Sequence, residues 1–126
     1  MKIQIASALV VASMLIAGLA HAECVYPKAP TAIPDGKTAT EEQMVTGMKA
    51  VKDYNAQVTA YLNCLDMQMQ TDITAAGAEA PPETIAQIKA INAKRHNAAV
   101  EELESHAARF NEQVKLYKGR DKEKKS

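Results

Sequence analysis

Residues 40–76 read TEEQMVTGMKAVKDYNAQVTAYLNCLDMQMQTDITAA, and this stretch decides the fold. It opens on Thr40-Glu41-Glu42-Gln43, the pattern of a capping box, in which the threonine hydroxyl takes an orphan backbone amide and the glutamine reaches back to the cap residue. From there Met44, Met48, Val51, Asn55, Val58, Leu62, Leu65 and Met69 follow one another in steps of four and three. That is a heptad seam with one polar member, Asn55, and it predicts a long amphipathic helix. Alternation with period two is absent, which excludes a strand. Tyr54 and Tyr61 fall beside the seam, on its apolar rim. The helix is expected over about 40–76, with Gly77 free to adopt the left-handed conformation that closes a helix.

A short connection, Ala78 to Pro82, leads to a second helix over about 83–117, since Pro81-Pro82 is tolerated only in a first helical turn. Its inner positions are Ile85, Ile88, Asn92, His96, Ala99, Leu103, His106 or Ala107, Phe110, Val114 and Tyr117. Two long helices joined by so short a link must run antiparallel, so the expected class is all-α, a coiled-coil-like two-helix hairpin. A turn centred near Glu79 sets Met44 against Val114 and Met48 against Phe110. The last residues, 118–126 (KGRDKEKKS), are charged, contain Gly119 and lack any apolar side chain, which predicts a disordered tail.

Upstream, residues 23–39 (ECVYPKAPTAIPDGKTA) hold Pro27, Pro30 and Pro34 before an Asp35-Gly36 turn signal. Prolines at this density favour extended chain, so this is a leader without regular structure. It carries Cys24, and helix 1 carries Cys64, the only other cysteine. In polyproline form the sixteen steps from Cys24 to Thr40 span about 50 Å, whereas the 24 steps from Thr40 to Cys64 rise about 36 Å. The leader therefore reaches back along helix 1 with slack, and a Cys24–Cys64 disulfide is expected; an intermolecular bridge or free thiols is the alternative. A staple of this kind suits a hairpin whose single seam buries little area.

Residues 1–22 have a basic Lys2, an apolar run from about Ile5 to Leu19 and a small-x-small site at Ala20-His21-Ala22, the layout of a secretion signal cleaved after Ala22. The apolar run is short for a membrane span, which needs about 20 residues, so none is expected after cleavage. Charged Glu23 before Cys24 argues against a lipid anchor, which wants a small residue there. The expected location is periplasmic or secreted, where a disulfide persists. Losing residues 1–22 removes Lys2 and no acid, which leaves 14 basic against 15 acidic side chains, a formal charge of −1. No global field then draws in nucleic acid.

Candidate chemistry is sparse. Glu102 and His106 stand at i and i+4, a partial metal site, while His96 lies ten residues away, about 15 Å along the helix axis. Met67 and Met69 beside Cys64 offer soft ligands of the type cuprous copper takes. Two ligands do not hold zinc, and methionines at seam spacing fill cores, so these residues read first as packing. No nucleophile with base and orienter, phosphate loop or haem-attachment motif can be assembled, and no cofactor is implied.

The exported Cys24, the proline-rich leader ending in Pro34-Asp35-Gly36, the TATEEQM entry at 38–44 and the Tyr61-Leu62-Asn63-Cys64-Leu65 run resemble a group of small secreted proteins of Gram-negative bacteria. The resemblance covers leader and helix 1 in residues, helix 2 in pattern only. It implies periplasmic residence and carries over no activity and no site. The reading is a non-enzymatic periplasmic helical protein that binds itself or another envelope protein. A metal-handling or stress-sensing protein using His96, Glu102, His106 and the methionines is the alternative, and contact of the basic tail with anionic lipid or cell-wall polymer a third.

Overall fold

The structure is a computed structural model that describes residues 23–126, so the secretion signal read in residues 1–22 lies outside the described residues. Two helices, α1 over Glu41–Ala76 and α2 over Pro82–Lys124, pack against each other as a hairpin, and the described residues contain no strand. The start of α1 is fixed as its capping box requires. Thr40 Oγ1 accepts from the Gln43 amide at 3.2 Å, and Gln43 Oε1 accepts from the Thr40 amide at 2.8 Å. Glu41 and Glu42 add negative charge where the helix dipole is positive. At the far end Gly77 has φ 85° with an extended ψ of 167°, so it breaks the helix without forming the left-handed cap. Pro82 then opens α2, where its missing amide costs nothing.

The leader runs antiparallel to α1 and lies in one of the two grooves of the hairpin. Cys24 and Cys64 join as a disulfide, with Cα atoms 5.7 Å apart. At its other end the leader turns on Asp35, whose carbonyl accepts from the amides of Thr38 and Ala39 and whose carboxylate accepts from the backbone amide of Lys37. Here the backbone touches α2 directly. The Gly36 amide donates to Gln113 Oε1 at 2.9 Å, and a β-carbon on Gly36 would overlap the Gln113 carbonyl oxygen. Glycine is needed for that approach.

The core forms two clusters. The upper one holds Tyr54, Val58, Tyr61, Leu65 and Ala99, with Cys24, Ala29, Leu62 and Leu103 packed on it. The lower one holds Ala39, Met44 and Phe110, with Ile33, Val51, Val114 and Tyr117 around it. This corrects the seam of α1 at Met48 and Asn55. Met44, Val51, Val58, Leu65 and half-buried Leu62 pack inward as the apolar pattern expects, but Gly47 and Tyr54 are buried where it names Met48 and Asn55, and Tyr61 joins the core beside Leu62. Tyr54 is 1% and Tyr61 7% exposed, whereas Met48 is 46% exposed. The rim tyrosines are therefore core. The physical reason is the leader: the buried arc of α1 has to face α2 and the leader at once, which turns it by one residue toward the leader side. Gly47 packs directly against Phe110, with Met48 at the edge of the groove that Phe110 lines, and Pro34 crosses at the same point.

The second correction is the tail. Residues 118–124 continue α2 as helix. Arg120 donates through Nη1 to the Lys37 carbonyl at 2.9 Å and through Nη2 to the Ala39 carbonyl at 2.8 Å, and its guanidinium lies over the Tyr117 ring, 4.8 Å from the centroid. The extra turns tie the end of α2 to the turn that leads into α1. Lys122 and Lys124 also suit the negative end of the helix dipole.

Candidate functional site

The leader divides the hairpin into two unlike faces. On the covered face Tyr26 stacks edge-on against Tyr61, with ring centroids 5.2 Å apart, and its hydroxyl donates to Glu102 Oε2 at 2.7 Å. The Tyr26 pKa is pushed up to about 12, first because ionisation would forfeit that hydrogen bond to a carboxylate, then by desolvation. One turn along α2, the His106 ring meets the Tyr54 ring edge-on at 5.7 Å. Both are buried, and Tyr54 Oη and His106 Nδ1 have no hydrogen-bond partner. Burial raises the Tyr54 pKa, with the Glu102 charge adding to it, and burial lowers that of His106, with the Arg109 charge adding.

That geometry reassigns the candidate ligands. Glu102 is taken by Tyr26, His106 by the core, and His96 sits half-buried farther up α2. Met67 is 71% exposed, Met69 half-buried, and Cys64 is consumed by the disulfide. Among the described residues no three of His, Cys, Asp and Glu come together as metal ligands. Sequence reading missed Tyr26, Gln113 and Arg120, which tie leader to α2 across 76 to 83 residues. No local signal marks such contacts.

The orphaned histidine gives a pH dependence with a definite sign. Its folded-state pKa lies below the ordinary value, so below about pH 6.5 the unfolded chain gains a proton that the folded chain refuses. The contribution is intact above that pH and lost as pH falls toward the folded-state pKa. Urea midpoints for the wild type are expected to drop more between pH 7.5 and pH 5 than those of His106→Phe; equal drops would remove His106 as the cause.

On the opposite face no other segment of the described residues covers the hairpin. Met48 and Asn55 are exposed there along α1, and half-buried Leu62 and Met69, each seven residues from the next, continue their line toward the seam with α2. At the open end of the hairpin a groove of about 170 Å³ is lined by Met44, Val45, Met48, Phe110, Val114 and Tyr117. Val45 there is 62% exposed. A larger open cleft of about 470 Å³ lies between the leader turn and the first turns of α1, bordered by Ile33, Pro34, Asp35, Glu42 and Gly47. It has no orphaned polar atom aimed into it. No helix of the described residues is long and apolar enough to cross a membrane.

No protein-family model matches this chain, and neither a curated protein nor a solved structure matches it.

Proposed function

We propose that this is a non-enzymatic interaction module of the bacterial envelope, exported to the periplasm or beyond the cell, which works through the face the leader leaves open. One observation carries the reading: apolar side chains are distributed unequally after folding. The leader buries Tyr54 and Tyr61 on one side, yet Val45 and Met48 stay exposed on the other, beside an apolar groove built by both helices. Exposed apolar surface organised along a helix is the usual mark of a helix-in-groove or bundle contact. A cysteine pair at disulfide distance fits an oxidising compartment. The resemblance of leader and helix 1 to small secreted proteins of Gram-negative bacteria supports the periplasm in particular.

Site-specific photo-crosslinking tests this in intact cells. A benzophenone side chain at Met48 is expected to capture a protein, whereas the same group at Lys49, one residue round α1 and exposed, is not. Equal capture, or none, at both positions would contradict the reading.

A further inference from the structure

We infer that the occupant of the open face is a second copy of this chain, docked about a two-fold axis parallel to the helices, so that each α1 lies over the α2 of the other copy. The inference rests on the interaction reading above and names its partner. The charges bordering the open face carry it. On α1 they run Glu41, Lys52, Asp66: negative, positive, negative. The contacts of the hairpin set the levels. Glu41 and Lys118 line the same groove, Tyr54 meets His106, and Asn92 donates to Asp66 at 3.2 Å. At the levels of the three α1 charges, within one helical turn, α2 therefore presents Lys118, Glu104 and Lys89: positive, negative, positive.

All six side chains belong to exposed residues, and the one ion pair among the described residues is Lys115–Glu112. None of the six is neutralised within its own chain. A two-fold axis along the hairpin keeps every level in place and exchanges the helices. Glu41 then meets Lys118 of the second copy, Lys52 meets its Glu104 and Asp66 its Lys89, and each pairing occurs twice. An axis in the same plane but across the helices would lay α1 on α1 in reverse, with Glu41 over Asp66 and Lys118 over Lys89. That arrangement sets like charges together, so the pattern selects one axis against the other. Between the charged rims lie exposed Val45 and Met48 with their groove, and half-buried Leu62 and Met69 behind, with Asn55 as the single polar member common in such seams. The product is a four-helix bundle with each leader on the outside.

Sedimentation of the oxidised protein purified from the periplasm tests this. The wild type is expected to dimerise at micromolar concentration. Met48→Glu is expected to abolish dimerisation while leaving helicity intact and the melting temperature equal to that of the wild type diluted to the monomer. Because each substitution acts twice across the axis, Lys118→Glu is expected to weaken the dimer about tenfold, and adding Glu41→Lys to restore it. A strict monomer at several hundred micromolar, a dimer indifferent to Met48→Glu, or a charge swap that fails to rescue would each overturn it. A monomer that still crosslinks from Met48 to a different protein would overturn this inference and leave the interaction reading standing.

Discussion

Cys64→Ser is expected to lower the unfolding free energy of the oxidised protein by about 4 kcal/mol in the chain-entropy model. The bridge closes a loop between residues 40 apart in sequence, and that loop contains the whole leader and the first two-thirds of α1. Cutting it gives the unfolded chain back the freedom the loop removed. It also releases a leader that has no helix or strand of its own and is held otherwise by few anchors: the Tyr26–Glu102 and Gly36–Gln113 hydrogen bonds and the two from Arg120. Urea unfolding of wild type and variant measures the difference. Because the leader is what covers Tyr54 and Tyr61, the near-ultraviolet signal of the tyrosines is expected to weaken in the variant before far-ultraviolet helicity does. A loss under about 1 kcal/mol, far short of the loop-closure value, would mean the leader is held without the bridge.

Phe110→Ala is expected to cost about 3–5 kcal/mol, the range for truncating a buried aromatic. Phe110 is 4% exposed and sits where three elements meet: Pro34 of the leader, Gly47 and Met44 of α1, and its own helix. Gly47 is small because Phe110 and Pro34 occupy the space in front of it; a β-carbon there would lie 2.8 Å from each. Pro34 is a rigid ring and Gly47 has no side chain, so neither fills the cavity, and of the three named neighbours only Met44 can adjust. Met48→Ala makes the comparison sharp. The apolar pattern sets Met48 against Phe110, but the structure leaves it nearly half exposed, so its truncation is expected to cost less than about 1 kcal/mol. Equal losses for the two variants would restore the register the apolar pattern suggests.

The comparison of these two positions shows what was legible in the sequence. A capping box is a local device, and Thr40 and Gln43 form it as written. The hairpin followed from the length of two periodic segments and the shortness of their link. The register of α1 was legible in Met44, Val51, Val58, Leu62 and Leu65. At Met48 and Asn55 it was not: methionine looks more apolar than glycine, and periodicity alone does not register a third element. Tyr54 and Tyr61 became core because proline-rich chain lies on them, a fact set by the Cys24–Cys64 link and not by helix pattern. The helical course of residues 118–124 was hidden for a related reason, since Arg120 is anchored by backbone carbonyls of Lys37 and Ala39, and such partners leave no trace in composition. Glu102 and His106 drew notice for their i, i+4 spacing. The structure sets each of them against a tyrosine, and one of these, Tyr26, reaches its partner from 76 residues away.

Both the stability and the interaction readings depend on one claim, that the leader covers one side of the hairpin and leaves the other bare. Hydroxyl-radical footprinting of the oxidised protein, read by peptide mass mapping, tests it most directly. At a concentration well below that of dimerisation, Met48 and Tyr26 are expected to be oxidised readily, while Met44, Tyr54 and Tyr61 stay protected, and reduction of the disulfide is expected to expose the two buried tyrosines. Oxidation of Tyr54 and Tyr61 at the rate of Tyr26 while the bridge is intact would contradict the account.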